Sequence, residues 1–309
     1  MLKEQLPLVS TERHPHRLLG LLFVAASAFA FSLVSLAVKY ESSSMSSMES
    51  VFWRSLFSWS VTKLHIIVQK QNLYVDSEYT FYLTIRCVVG FASMALGFWT
   101  ITQMALADAS VLIFTSPVIA ALLSSVLLQE ALDPVCLTCA LISFGGVICV
   151  SRPTFLFGEQ DEAVVNGSKF AVLGGLLAAS AQALVYVSVR KLKELHFLVV
   201  INYFFLTCLI FSGFWMWIFQ ENFVWPQSAS IWASVIASGV FGYFGQLFLT
   251  KGFQLESVGI ASIMRYLDIV FVFIWDGLLI QEPINKWSIL GALIICACAI
   301  AITVRKARF

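Results

Sequence analysis

Arg265 and Asp268 lie three residues apart in an otherwise apolar run, Ala261 to Ile280. That spacing puts both on one face of a helix, where a guanidinium and a carboxylate can pair. A charge at the centre of a membrane helix costs at least a few kcal/mol unless it is paired or hydrated. Two more arginines, Arg54 and Arg86, fall about two turns inside apolar segments of their own. Either could instead extend its head to the nearer interface. Three deep arginines against one deep acid describe an electropositive cavity, and guanidinium forks match carboxylates and phosphates two bonds at a time. The uncharged polar residues Gln103, Gln182, Tyr186, Asn202, Tyr203, Tyr243, Gln246 and Tyr266 could complete such a cavity. Gln182 and Tyr186 share a face by their four-residue spacing, and Tyr243 and Gln246 do so by their three-residue spacing. Each could equally serve as an interhelical hydrogen bond.

The elements that must carry these residues are set by composition. The chain is 59% apolar and 12% charged, where soluble domains are about 25% charged. About 20 apolar residues cross a bilayer as a helix. Ten such spans are predicted: Leu18–Val38, Met48–Val68, Phe81–Thr102, Leu106–Leu128, Val135–Val150, Phe170–Val189, Leu198–Phe219, Ile231–Thr250, Val258–Ile280 and Trp287–Val304. No ten-residue alternation argues for a barrel, so the expected class is an all-α polytopic membrane protein.

The chain repeats itself. Ala109 to Glu130 aligns without gaps on Ala261 to Glu282, 152 positions later, with six identities in 22 positions. The opening segments align at nearly the same offset, Leu19-Gly20 with Leu173-Gly174 and Lys39 with Lys193. Because each half holds an odd number of spans, the second must enter the membrane inverted. Inverted five-plus-five repeats place a binding site between the halves near the midplane, as secondary transporters do. In this register Pro117, which should kink its span, faces Ile269 beside Asp268, so one half-site is expected to supply a bend and the other a charge.

Lysine and arginine set the direction, since they are retained on the cytoplasmic side. With both termini inside, eleven fall in inner segments (Lys3, Arg13, Arg17, Lys70, Arg190, Lys191, Lys193, Lys251, Arg305, Lys306, Arg308) and four in outer ones (Lys39, Arg152, Lys169, Lys286). The expected layout is a cytosolic tail 1–17, a first repeat 18–151, an acidic linker 152–168, a second repeat 169–304 and a cytosolic tail 305–309. The first span is too long for a cleavable signal and should act as an anchor. The sequon Asn166-Gly167-Ser168 lies too near the sixth span to expect glycosylation. No extramembrane segment could house a nucleotide-binding cassette, so energy must come from gradients.

Other chemistries find little support. Cys136-x-x-Cys139 has no second ligand pair, and the seven cysteines fit packing between helices. The histidines (His14, His16, His65, His196) sit at termini or span ends. Intramembrane hydrolysis needs a buried Ser-His, Asp-Asp or metal set; none is apparent, so no enzymatic activity, cofactor or metal is expected. Asp108, Glu130, Lys251, Asp276 and Glu282 lie near span ends, where the glutamates could cap a helix, gate the cavity or simply be solvated. Gly145-Gly146, Gly174-Gly175, Gly239, Gly242 and Gly291 mark close helix contacts.

The stretches RCVVGFASMALGFWTITQMALADASVLIFTSPV, GGVICVSRPTFLFG and GQLFLTKGFQLESVGIASIMRYLDIVFVFIWD resemble the drug/metabolite transporter superfamily in its EamA-type members. Within it they are similar to the G branch of solute carrier family 35, of the member-one type. The resemblance runs from about Leu18 to Lys306. It implies ten helices, alternating access, cytosolic termini, a cavity lined by the third, fourth, eighth and ninth helices, and a di- or tricarboxylate substrate. The branch often carries lysine where this chain has Arg265; the charge is common to both, the planar fork is not.

The expected function is therefore secondary-active transport of a small, citrate-like organic anion, with the ten polar residues Arg265, Asp268, Arg54, Arg86, Gln103, Gln182, Tyr186, Tyr243, Gln246 and Tyr266 as substrate-binding candidates. Asp268 would fix Arg265 or exchange a proton. The alternatives are a carrier of a neutral or cationic metabolite and a non-transporting scaffold or regulator. Expected partners are an anionic small molecule and the lipid bilayer, without nucleic acid; a homodimer is compatible with the chain. The expected location is the plasma membrane or the endoplasmic reticulum and Golgi.

Overall fold

A computed structural model describes residues 17–42, 44–104, 106–131, 133–157, 170–220, 223–280 and 285–308. The first 16 residues, most of the acidic linker with its sequon, Lys169, Glu282 and Phe309 lie outside the described residues. The chain is a bundle of helices: α1 (Arg17–Glu41), α2 (Ser47–Gln69), α3 (Ser77–Gln103), α4 (Leu106–Ile113), α5 (Ser116–Leu127), α6 (Pro134–Ser151), α7 (Thr154–Phe157), α8 (Ala171–Lys191), α9 (Phe197–Phe219), α10 (Ala229–Leu255), α11 (Val258–Met264), α12 (Leu267–Trp275) with a π-turn Asp276–Ile280, and α13 (Lys286–Arg308). Among the described residues nine helical spans are long and apolar enough to cross a membrane. The remaining predicted span, the second, is α2. At 23 residues it is about 35 Å long, sufficient to cross. It is less apolar because Glu49, Ser50, Ser55, Ser58 and Thr62 are buried along it, against α9 and α10.

Two spans differ from expectation in the same way. The fourth was predicted as a continuous helix kinked at Pro117, and the ninth as a continuous helix carrying charge. Both are broken by a two-residue turn, Phe114-Thr115 in the first half and Arg265-Tyr266 in the second. At each break the backbone tightens to i−3 bonds: Thr115 N to Leu112 O at 3.2 Å and Val118 N to Thr115 O at 3.1 Å, against Arg265 N to Ser262 O and Asp268 N to Arg265 O, both at 3.1 Å. Proline accounts for the first break, since it has no N–H to give and sits at the start of α5. The second half bends without proline, so a bend is common to both half-sites and charge is added to only one.

Packing follows the repeat. Counting spans rather than helices, first packs on eighth (α1 on α10) and third on sixth (α3 on α8), which are mirror images under a shift of five. Second on seventh (α2 on α9), fourth on ninth (α5 on α11) and fifth on tenth (α6 on α13) each pair a helix with its own counterpart. The aligned glycines obey the same relation. Gly20 of α1 abuts Glu256 and Gly252 at the end of α10, and Gly174 of α8 abuts Trp99 and Thr100 at the end of α3. Between α6 and α13 the backbones meet: a Cβ on Gly291 would lie 2.3 Å from the Gly146 carbonyl oxygen. Gly145 faces open space instead.

Two segments singled out in the sequence also meet. Asp108, in the LADASV stretch, accepts from the Thr154 amide at 2.6 Å and the Thr154 hydroxyl at 2.5 Å. Thr154 opens α7 within SRPTFLFG, so the carboxylate ties the interhalf connection to the start of the fourth span.

Candidate functional site

The interhalf space holds a cavity of about 330 Å³. Arg54, Arg86, Gln182, Tyr186, Gln246, Arg265 and Asp268 all line it. Seven of the ten residues expected to form a site thus share one space. The lining includes the third, fourth, eighth and ninth spans, and also the first, second, sixth and seventh, as Phe31, Ser55, Val185 and Phe204 contribute. It runs from mid-membrane toward Ser35, Ile101 and Ile113, on the face opposite the chain termini.

Arg265 emerges from the turn between α11 and α12, where the break frees it from the regular face of either helix. Its Nη2 donates to Asp268 Oδ2 at 2.9 Å, Nη1 donates to Ser27 at 3.3 Å, and its carbon lies 5.0 Å from the centre of the Phe31 ring. Among the described residues, Nε of Arg265 and Oδ1 of Asp268 are buried without hydrogen-bond partners. The pair therefore balances its charge and still keeps a donor and an acceptor for something else.

Arg86 is almost completely buried, at 1% exposure. Its Nη2 donates to Gln246 Oε1 at 2.8 Å, and the guanidinium lies 4.1 Å over the Phe204 ring. Nε and Nη1 have no hydrogen-bond partner among the described residues. One turn on, Gly90 makes room: a Cβ there would stand 2.7 Å from Nη1. Arg54 donates to the Met94 sulfur at 3.1 Å, a weak acceptor. Among the described residues no carboxylate forms a salt bridge with Arg54 or Arg86.

Gln182 accepts from Ser93 at 3.3 Å. Tyr186 stacks on Phe253 with ring centres 4.4 Å apart. Three expected residues stand elsewhere. Tyr243 turns to α2, where it hydrogen-bonds His65, so His65 is more than a span-end residue. Tyr266 is wholly buried in the cluster around α6 and α13, because adjacent residues in a helical turn point about 100° apart and Arg265 takes the cavity side. Gln103 ends α3 and donates to Thr102 at 3.5 Å. Residues the sequence reading passed over include Ser27, Ser93, Met94 and Phe204. Gly90, four residues after Arg86, was the available signal, since it is the space that a buried guanidinium needs.

On the face bearing the termini stand polar ties, three of which join the halves: Glu130 with Arg190, Glu130 with Val258, and Asp133 with Arg305. Arg190 Nε donates to Glu130 Oε1 at 3.1 Å and its Nη1 to the Gln254 carbonyl at 2.6 Å. Glu130 Oε2 accepts from the Val258 amide at 3.0 Å, capping α11. Arg305 pairs with Asp133 at 2.5 Å, and Lys306 with Glu256. Burial works to raise the Asp133 pKa, but the Arg305 hydrogen bond, the Val135 amide and Cys136 hold it below the usual carboxylate range. The opposite face carries the Lys39–Asp276 pair at 3.4 Å.

A multi-pass membrane bundle with two inverted halves around a polar central cavity is the frame of a membrane transporter. The model of the EamA-like transporter family matches residues 18–152 and 169–304. The chain belongs to the EamA-like transporter family, within the drug/metabolite transporter superfamily. It is 30% identical over 295 residues to human solute carrier family 35 member G1, covering 93% of this chain and 80% of that one. It is 28% identical over 288 residues to the pseudopaline exporter CntI of Pseudomonas aeruginosa, covering 93% and 96%. A crystal structure covering 94% of this chain superposes with a TM-score of 0.77 at 18% identity, which is a likeness of fold.

Proposed function

We propose that the chain is a secondary-active carrier of a small organic anion, a carboxylate of citrate-like size, working by alternating access. The observation that carries this reading is the charge of the cavity: three guanidiniums, of which two have no carboxylate bridge, and one carboxylate. A buried charge without a counter-ion costs several kcal/mol, and an anion entering the cavity offsets that cost. The unpartnered N–H groups of Arg86 and Arg265 supply the donors that a carboxylate accepts.

Arg86 and Arg54 would draw the anion, and Arg265 would bind it while Asp268 holds its fork in place. Gln182, Tyr186 and Gln246 would shape specificity. Tyr243, Tyr266 and Gln103 would act through packing. The positive-residue bias supports cytosolic termini, in which case the ion-paired face would be the inner one and the cavity would reach outward. Transport by the named relatives supports the class of function. The unpartnered Oδ1 of Asp268 favours a second reading, a substrate that also carries an amino group.

The test is uptake of labelled citrate, with other carboxylates and amino acids as competitors, into liposomes holding the wild type or Arg265→Ala. Saturable uptake lost in a folded mutant supports the anion reading. Wild type that moves no carboxylate overturns it, and competition by amino acids alone favours the second reading.

A further inference from the structure

Glu41 ends α1 with no exposure to solvent. Its carboxylate is met by hydroxyls: Ser50 of α2 donates to Oε2, and Ser234 of α10 lies 3.4 Å from Oε1. Ser238 of α10 is a third hydroxyl in its surroundings. No lysine or arginine forms a salt bridge with it among the described residues. The neighbouring charges are otherwise engaged. Lys39 pairs with Asp276. Glu49 accepts from the Ser46 and Val224 amides and from Gln220. Arg54 lies one helical turn beyond Ser50 on α2, close enough for its charge to act on Glu41. That same Arg54 lines the cavity.

We propose that Glu41 is a proton-binding site coupled to the cavity through Arg54, so that the carrier takes up a proton with its anion. This rests on the anion reading. A carboxylate held in a buried place by hydroxyls alone lacks a counter-charge, and a proton supplies one. While Glu41 is ionised it draws on the field of Arg54 and repels a second anion. Once Glu41 holds a proton, the charge of Arg54 acts on the substrate alone. Anion and proton therefore strengthen each other's binding, and by linkage the effect is reciprocal. Ser50 accounts for the geometry, since it binds Glu41 from the helix that carries Arg54. No covalent bond is made or broken beyond the transfer of the proton to the carboxylate oxygen and its release on the other side.

The experiment measures citrate affinity of purified wild type and Glu41→Gln across neutral pH. The ligand's own titration is common to both and cancels in the ratio. The wild-type to mutant affinity ratio should fall by up to tenfold per pH unit as pH rises through the titration of Glu41, and wild type should take up a proton from unbuffered solution when citrate is added. A flat ratio with no proton uptake overturns the proposal, as does a sodium requirement lost in the mutant without any pH dependence. If Glu41→Gln fails to fold, Glu41→Asp and the wild-type proton count decide. If wild type binds no citrate, the anion reading has failed, and infrared difference spectra of wild type and mutant across a pH series still report separately whether the Glu41 carboxyl takes up and releases a proton; a Glu41 carboxyl whose signal does not change with pH overturns the proton site.

Discussion

The Ser262 hydroxyl donates to the Pro117 carbonyl at 3.2 Å, joining the broken span of one half to the broken span of the other. Ser262 is fully buried and also bonds Gly259 O at 3.0 Å within its own helix. The two broken spans are therefore tied directly, beside their breaks. Ser262→Ala should destabilise the purified protein by about 1 kcal/mol, read as a lower melting temperature. The same change should alter the rate at which the cavity changes face, measured by cysteine accessibility from each side. Unchanged accessibility would reduce the bond to a packing detail.

Arg86 separates folding from function. Its charge is buried without a carboxylate bridge, so Arg86→Met should leave thermal stability unchanged or raise it, as replacement of buried ions by apolar groups often does by about 1–4 kcal/mol. Carboxylate uptake should be lost. A mutant that unfolds would show that Gln246 and Phe204 hold the arginine for structural reasons.

The Glu130–Arg190 pair is expected to hold the termini face together. It unites a carboxylate of the first half with a guanidinium of the second, and Glu130 also caps α11. Glu130→Gln should keep the cap while weakening the pair, raising labelling of cysteines placed near Ser257 by several-fold. The reciprocal removal, Arg190→Ala, should have the same sign and a larger effect because the Gln254 carbonyl also loses its donor. Equal labelling in all three proteins would place the lock elsewhere.

Asp133 and Arg305 give a pH dependence whose sign is fixed. The folded pKa of Asp133 lies below its ordinary value, so the stabilisation is present above the ordinary carboxylate range and is lost as pH falls through the folded value. Both side chains are partly exposed, at 31% and 41%, so the effect is small and screened by salt. Melting curves of Asp133→Asn and wild type should converge at low pH and separate modestly near neutrality. Separation that persists in acid would refute the ionic origin.

How much of this was legible in the residues varies with the physics that decides each feature. Span number, repeat and polar depth were legible because hydrocarbon solvent imposes them on composition. The break at Arg265 was not, since proline announces only the first of the two breaks. Tyr243 and Gln246 share a face by spacing, yet one binds His65 and the other Arg86: three residues leave about 60° between side chains, enough to reach different neighbours. Glu41 escaped notice because the apolar run ends at Val38 while the helix continues one turn further, carrying a carboxylate beyond the predicted span into a buried place.

The unbridged arginines have an electrical consequence. Moving one elementary charge through a membrane potential involves about 2.3 kcal/mol per 100 mV. A cavity that returns empty carries the charges of Arg54 and Arg86 with it, whereas one filled by a dianion carries none on their account. Voltage should therefore act on the unloaded half of the cycle, and the resting potential of the host membrane would set which side the vacant site faces.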